Sequence, residues 1–215
     1  MIRKGEPWGA RTDASPDVTV HGDDATLAAT LRDAPGALVR LVPSEASEIA
    51  RALGLTGSSD AGIEVALDVL RVDGARDAVN AVVLGTRPDR VRAWSRAASV
   101  RVEVDGRDRF TGRATAVVVA NGQFLGGLDA VPRGHPGDGR FEVQVYALTP
   151  GERAGMRRRL ATGTHVPHPR ITQVTGKRVV VTAGRALPVE IDGHRSGRTL
   201  TLTVEVRPAS LRLLL

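Results

Sequence analysis

The chain has 215 residues and no cysteine, and its 41% of hydrophobic residues suffice for a substantial buried core. No apolar run reaches the roughly 18 residues of a membrane span, and the N-terminus has no apolar segment of the secretory type, so the cytoplasm is the expected location. The net charge is +6, but apart from Lys4 and Lys177 the basic residues are arginines scattered among acidic ones, and aromatics make up only 3%. We therefore expect no nucleic-acid partner.

Residues 1–60 are expected to contain a fragment of an α/β layer. The order of the predicted elements is an irregular start over 1–16, a strand over 17–21, a helix over 23–34, a strand over 37–42 and a helix over 45–53. Leu27, Ala28 and Leu31 have helical spacing, and Ser44 and Ser47 can cap the second helix. Alternation of strands and helices is typical of α/β structure.

Residues 61–215 are expected to form a β-rich, sandwich-like domain, which makes the fold α+β overall. Segments rich in Val and Thr, most of them separated by turn residues, predict strands over 63–72, 78–84, 99–104, 114–120, 140–146, 177–183, 187–191 and 199–206. Two helices are predicted, over 88–97 and 150–162. The second begins at a proline and has Glu152 in its first turn and arginines near its end, which suits the helix dipole.

Glycine-rich and proline-containing turn motifs follow one another from residue 118 onward. Their order is Asn121-Gly122, Gly126-Gly127, Pro132, Asp138-Gly139 before Phe141-Glu142-Val143, Gly163-Thr164-His165, Pro188-Val189, Ile191-Asp192-Gly193 and Val206-Arg207-Pro208-Ala209-Ser210-Leu211. Any one of them is most often simple turn punctuation. The ordered set is more specific than its members.

This ordered set resembles the diacylglycerol kinase and sphingosine kinase family of lipid kinases, and the chain resembles a truncated, degenerate member that keeps mainly the C-terminal domain. Upstream, the segment 21–27 resembles the family's Gly-Gly-Asp-Gly-Thr-Leu nucleotide loop, and the segment 42–55 resembles its second phosphate-binding segment. The resemblance implies a remnant of the nucleotide-binding domain over 1–60 and the second domain over 61–215. It also implies that the last residues, 211–215, return to the first domain and pair near 37–42.

The resemblance assigns roles to three groups of residues in this sequence. The family's Asp-Gly-Glu supplies a base, so the implied catalytic residues are Asp192 and His194. Nucleotide-binding positions are implied at Gly22, Asp23, Asp24, Thr26, Ser44 and Ser47. Cleft-lining turns are implied at Asn121, Gly126, Gly127 and Asp138. An active member would use ATP and Mg²⁺ as cofactors.

No metal site built from side chains is expected elsewhere in the chain. His165 and His168 come nearest to ligand spacing, but the neighbouring prolines prevent a helix and no third ligand is evident. The arginines 153 and 157–159 are expected to form a solvated face, with binding of phosphate or of a membrane surface as the alternative.

The implied phosphate-binding positions are also where the chain departs most from the family. Only Gly22 remains of the loop's three glycines, and Asp24 and Glu45 place carboxylates where phosphates would bind. A like-charge contact at 4 Å costs about 4 kcal/mol at an effective dielectric constant near 20, although an intervening Mg²⁺ would reverse its sign. His194 replaces the family's glutamate, and a histidine can act as a base near neutral pH.

We therefore expect a lipid kinase-like protein with lost or weakened ATP-dependent phosphotransfer that binds a lipid or a small phosphorylated metabolite in an interdomain cleft. An active, unusual lipid kinase and a non-catalytic regulatory or interaction subunit stay open as alternatives. Peripheral contact with the inner membrane face and a homodimer also stay open.

Overall fold

The computed structural model describes residues 9–55 and 62–215, which form fifteen strands and four short helices. In chain order the elements are β1 (Ala10–Arg11), β2 (Val18–Gly22), α1 (Asp24–Asp33), β3 (Leu38–Pro43), α2 (Glu48–Ala52), β4 (Ile63–Val72), β5 (Arg76–Ala78), β6 (Ala81–Gly85), a 3-10 turn (Pro88–Arg90), β7 (Ala98–Val104), β8 (Arg107–Ala114), β9 (Ala116–Ala120), β10 (Phe124–Leu125), β11 (Leu128–Asp129), β12 (Phe141–Tyr146), α3 (Pro150–Ala154), α4 (Met156–Leu160), β13 (Ile171–Gly176), β14 (Arg178–Ile191) and β15 (His194–Leu214). Within these ranges no helix is long and apolar enough to cross a membrane.

Thirteen strands belong to one hydrogen-bonded sheet, and β10 and β11 form a separate hairpin. The central strands β6 and β9 are buried on both faces, which explains their uninterrupted apolar sequences. Val82 and Val119 point into a large cluster shared with β7, β12 and β14, whereas Val83 and Val118 join Met156 of α4 in a second cluster. The sheet thus packs on itself on one side and on the short helices on the other, which confirms the predicted β-rich, sandwich-like fold.

The N-terminal α/β layer is built on the parallel pair β2 and β3, with α1 and α2 following these strands. The end of β15 adds a third strand parallel to β3, with Leu213 opposite Val39. This is the pairing that was expected between residues 211–215 and 37–42. Leu213, Leu27 and Ile49 are fully buried in a third apolar cluster between these strands and helices.

Strands β4 and β15 run side by side along both the sandwich and the α/β layer. Their antiparallel register shifts between Arg207 and Leu211, where Ala209 has a φ of 50°. The buried carboxylate of Asp68 accepts hydrogen bonds from the backbone N–H of Ala209 at 2.9 Å and of Gly139 at 2.6 Å. Asp68 therefore fixes the irregular point at which the strand pair passes from one apolar cluster to the next.

Several predicted elements differ from the observed ones. The predicted strands over 177–183 and 187–191 are one strand, β14, whose pairing is irregular between Thr182 and Leu187. The strands β8 and β13 were not predicted. In β8 most residues are charged and exposed, so that the strand lacks a clear apolar alternation. Ala10–Arg11, within the segment expected to be irregular, pairs with β4. Residues 1–8 of that segment lie outside the described residues.

The two predicted helices of the β-rich region were also partly wrong. Over 88–97 only the 3-10 turn Pro88–Arg90 is helical, because the carbonyls of Ala93 and Ser95 accept hydrogen bonds from the buried Arg153 instead of from the helix backbone. The helix over 150–162 is interrupted at Gly155, a residue of low helix propensity, and forms α3 and α4. The domain boundary near residue 60 stays a prediction, since residues 56–61 lie outside the described residues.

Leu213→Ala should lower the free energy of unfolding by about 2–5 kcal/mol, because it removes a fully buried side chain from the cluster that joins β15 to the α/β layer. Urea unfolding followed by circular dichroism measures this difference. Leu200→Ala is the matched control, since Leu200 lies on the same strand with 55% of its surface exposed. Equal effects of the two substitutions would contradict this placement of Leu213.

Candidate functional site

Asp23 connects the start of α1 with the β14–β15 hairpin. Its Oδ1 accepts hydrogen bonds from the backbone N–H of Thr26 at 3.0 Å and from the Thr26 hydroxyl at 2.8 Å, which caps the helix. Its Oδ2 lies 2.7 Å from Nε2 of His194. Gly22 immediately before it has a φ of 154°, and a Cβ there would lie 2.8 Å from the Thr26 hydroxyl. The glycine is therefore required by the local packing of this cap.

Asp24 is buried and joins α1 to α2. Its carboxylate accepts hydrogen bonds from the Ser47 hydroxyl at 2.7 Å and from the backbone N–H groups of Glu48 and Ile49 at 3.1 and 3.2 Å. These donors belong to the first turn of α2, where a helix has N–H groups without internal partners. Such groups commonly bind external anions. Here a carboxylate of the protein itself occupies them.

Asp192 lies at the tip of the β14–β15 hairpin, with a φ of 45° and a buried side chain. Its two oxygens accept hydrogen bonds from the backbone N–H groups of Val79, Asn80 and Ala81 at 2.8, 2.9 and 2.9 Å. The buried amide of Asn121 donates to the carbonyl of Val79 at 2.9 Å. Side chains from two distant turns thus hold the short segment between β5 and β6.

Burial and mutual charge set the protonation of the acidic groups. Burial raises the pKa of Asp24 to about 7, and the charge of Asp192 adds to this effect. Burial also raises the pKa of Asp192 to about 6, despite its three backbone hydrogen bonds. Burial alone would raise the pKa of Asp23 as well, but hydrogen bonds from His194 and Thr26 hold it below its ordinary value. The hydrogen bond with Asp23 raises the pKa of His194.

Asp23, Asp192 and His194 border a pocket of about 420 Å³. Its lining comes from the α/β layer and from turns of the β-rich region, and comprises Asp23, Glu45, Ala46, Glu48, Arg51, Asn80, Arg87, Leu125, Gly126, Gly127, Asp192, Gly193 and His194. The turn at Gly126 and Gly127 has φ values of 63° and 73°, which favour glycine. The backbone N–H of Gly127 donates to Glu48 at 2.7 Å and so ties this turn to α2.

Both arginines of the pocket are paired with carboxylates. The Arg87 guanidinium binds Asp89 in a bidentate manner, at 2.7 and 2.9 Å, and Glu190 at 3.0 Å. Nε of Arg51 lies 3.5 Å from the Glu48 carboxylate. Since acidic groups outnumber the arginines of the lining, the pocket presents mainly negative and hydrogen-bond-accepting groups.

The structure brings most of the sequence-predicted site residues to one place, in two layers. Those that line the pocket are Asp23, Gly126, Gly127, Asp192 and His194. The support behind them consists of Gly22, Asp24, Thr26, Ser44, Ser47 and Asn121, among which the Ser44 N–H donates to the Gly22 carbonyl at 2.8 Å. Asp138 is not among the lining residues that the structure describes; it accepts a hydrogen bond from the N–H of Arg140 in the turn before β12.

The lining residues that were not predicted from the sequence include Glu48, Arg51, Asn80 and Arg87. Glu48 and Arg51 lie in the segment 42–55, each one helical turn beyond a predicted serine, Ser44 or Ser47. Helical spacing from these serines could therefore have identified them. Asn80 and Arg87 belong to no local motif. They enter the pocket because β6 pairs with β14, which only the tertiary structure establishes.

The sandwich and the adjoining α/β layer have the fold of kinase-like proteins of the lipid and NAD kinase type. The family described as the YegS C-terminal NAD kinase beta sandwich-like domain matches residues 62–215, and the chain belongs to this family. This match confirms the resemblance to the C-terminal domain of lipid kinases.

Solved structures agree with this assignment at the level of the fold. A crystal structure described as a diacylglycerol kinase from Bacillus anthracis str. Sterne has a TM-score of 0.71 at 17% identity, covering 92% of this chain and 76% of that one. An NAD kinase from Archaeoglobus fulgidus in complex with ATP has a TM-score of 0.54 at 14% identity, covering 93% and 78%. Yeast NADH kinase complexed with NADH has a TM-score of 0.52 at 13% identity, covering 92% and 61%. A search of curated proteins gave no match.

The stability of the protein should decrease as the pH rises from about 4 to about 7. Asp24 and Asp192 bind protons more tightly in the folded than in the unfolded chain. The folded state therefore holds more protons in this range, and the free energy of unfolding falls by up to about 1.4 kcal/mol per pH unit for each of these two buried groups. Asp24→Asn should make this fall shallower, as measured by urea unfolding at a series of pH values.

Asp33→Asn is the control for this experiment, because Asp33 is an exposed aspartate at the other end of the same helix. It should leave the pH profile of the wild type unchanged. An Asp24→Asn profile as steep as that of the wild type would show that Asp24 does not retain a proton in the folded state.

Proposed function

We propose that this kinase-like protein binds a hydroxyl-bearing ligand in its pocket and that its ATP-dependent phosphotransfer is lost or weakened. The observation that carries the proposal is the Asp24 carboxylate, which occupies the Ser47 hydroxyl and the N–H groups of Glu48 and Ile49. In the segment that resembles the family's second phosphate-binding segment, the donors that could bind phosphate are already used inside the protein.

The residues present disfavour a triphosphate that is not screened by a metal ion. A triphosphate would meet Asp23, Glu45 and Asp192, while the nearby arginines are already paired with carboxylates. Within residues 9–55 and 62–215, no three His, Cys, Asp or Glu side chains are grouped so that they could hold a metal ion. The same repulsion disfavours a small phosphorylated metabolite, because a phosphate in this lining would need a cation that is not already neutralised.

A hydroxyl group suits the lining better, because it both donates and accepts hydrogen bonds. Asp23 offers acceptor oxygens, and His194 is accessible, with 63% of its side chain exposed. The structurally similar proteins are described as kinases of diacylglycerol and of NAD or NADH, which are molecules that carry free hydroxyl groups. Diacylglycerol is accordingly the first ligand to test, and we expect an uncharged hydroxyl to bind more tightly than its phosphate ester.

A short-chain, water-soluble diacylglycerol should stabilise the protein against thermal unfolding, whereas ATP with Mg²⁺ should not. At 100 times the dissociation constant a ligand adds about 2.7 kcal/mol of stability. His194→Ala should weaken binding about tenfold or more, since it removes an exposed hydrogen-bonding side chain from the pocket. Isothermal titration calorimetry provides the dissociation constants.

Arg195→Ala is the matched control, because Arg195 is exposed, adjacent in sequence and not among the described residues that line this pocket. It should bind like the wild type. A protein that ATP and Mg²⁺ stabilise strongly, with no effect of the diacylglycerol, would refute the proposed ligand class.

The contact between Asp23 and His194 favours a second candidate, an active but unusual lipid kinase. If Nε2–H of His194 donates to Asp23, then Nδ1 is an acceptor that can take a proton from a hydroxyl group. Incubation with labelled ATP, Mg²⁺ and diacylglycerol tests this role. Transfer of labelled phosphate that is abolished in His194→Ala and retained in Arg195→Ala would establish that the protein is a lipid kinase. This result would replace the proposal that the protein binds its ligand with lost or weakened phosphotransfer.

A further inference from the structure

Two large hydrophobic side chains, Trp94 and Leu200, are prominently exposed in the part of the chain that the structure describes. Trp94 is 76% exposed in the loop between Pro88–Arg90 and β7, and Leu200 is 55% exposed on β15. On β15, Leu200 lies between Thr199, which pairs with Leu187, and Thr201, which pairs with Thr182. The irregular segment of β14 between these two pairs contains Arg185. Arg185 and Trp94 line the same groove, and Leu200 lies on the strand that pairs with the strand of Arg185.

The loop that carries Trp94 is held in place by arginines. The buried Arg153 donates to the carbonyls of Leu148, Ala93 and Ser95 at 3.0, 3.0 and 2.7 Å. On the neighbouring strands, Arg113 donates to the carbonyl of Ala97 at 3.0 Å and Arg185 to that of Arg96 at 3.3 Å. Trp94 is therefore presented to solvent by a fixed backbone.

The groove beside Trp94 measures about 660 Å³ and is basic. Its described lining includes the arginines 96, 113, 153 and 185 and no acidic residue. Arg92, also exposed, lies with its guanidinium 5.5 Å from the centre of the Trp94 ring. We name the residues Arg92, Trp94, Arg96, Arg113, Arg185 and Leu200 the Trp94 surface. It combines a large aromatic ring, an aliphatic side chain and a group of uncompensated positive charges.

We propose that the Trp94 surface docks on an anionic phospholipid membrane. Tryptophan favours the boundary between headgroups and acyl chains, because its ring is apolar while its indole N–H remains hydrogen-bonded. Arginine binds lipid phosphates with paired N–H donors, and basic residues next to an apolar insertion strengthen attachment to anionic lipids. Leu200 adds an apolar contact that the phosphate backbone of a nucleic acid would not stabilise.

This inference goes beyond the proposed function and does not rest on it. Arg87 lines the pocket and lies seven residues before Trp94, so the two are at most about 25 Å apart. Docking through the Trp94 surface would bring the pocket near the lipid headgroups. The surface and the pocket nevertheless share no lining residue among those described, so that each can be changed alone.

Vesicle flotation and fluorescence test the proposal. In a Trp8→Phe background, which leaves Trp94 as the remaining tryptophan, phosphatidylcholine vesicles with about 30% phosphatidylglycerol should shift the emission to shorter wavelength. The binding should weaken as NaCl rises from about 0.05 M to about 0.5 M. In a chain that retains both tryptophans, Arg92→Ala/Arg96→Ala should bind these vesicles roughly 30-fold more weakly, since each arginine near the membrane contributes about fivefold.

The control is Arg107→Ala/Arg109→Ala, which removes the same charge from exposed residues at the other end of the β7–β8 hairpin. It should float like the wild type, while Trp94→Ala should float less. Equal loss in both arginine pairs would refute a specific surface, as would binding unaffected by Trp94→Ala. Binding to a short DNA duplex without binding to vesicles would refute a membrane partner and indicate a nucleic acid.

Discussion

The hydrogen bonds of one buried carboxylate position the whole candidate site. Asp192 closes the β14–β15 hairpin and accepts three backbone N–H groups from the segment between β5 and β6. Such a carboxylate is costly to bury unless its oxygens are satisfied, so the hairpin tip and this segment must stay together. His194 is two residues further on and therefore reaches Asp23 of the α/β layer. The contact between His194 and Asp23 joins the hairpin to the α/β layer at the edge of the pocket.

In this protein, carboxylates of the chain itself accept hydrogen bonds from backbone N–H groups of the kind that bind external anions in many other proteins. Asp23 caps α1, Asp24 occupies the start of α2, and Asp68 fixes the irregularity in β15. Each satisfies backbone N–H groups that would otherwise be available to a ligand. Asp23 and Asp24 follow one another in the chain, yet they connect the start of α1 with different elements, the β14–β15 hairpin and α2. Asp23 also adds negative charge to the lining of the pocket.

The sequence was sufficient for the fold class and for most strands, which depend on apolar patterning and on an ordered set of turns. The return of residues 211–215 to β3 was implied by the family resemblance alone. It was not sufficient for the helix over 88–97, since the competing hydrogen bonds come from Arg153, sixty residues away. The turns at Gly126, Gly127 and Asp192 could be picked out as pocket residues from their motifs, whereas Asn80 and Arg87 could not. The sequence indicated that Asp24 is an unfavourable neighbour for a phosphate. It did not indicate that Asp24 accepts hydrogen bonds from the start of α2, because this contact joins two separate elements.

The parallel pairing of β15 with β3 has a consequence for how the protein is made. The strand that completes the α/β layer is synthesised after β2, β3 and their helices, and the strands of the sandwich lie between them in the chain. Until then β3 has an unpaired edge, and the apolar side chains that Leu211 and Leu213 later cover remain in contact with water. Contacts between such distant parts of a chain form slowly, and open strand edges attract other chains. The edge of β3 is thus open to pairing with other chains until the end of β15 covers it.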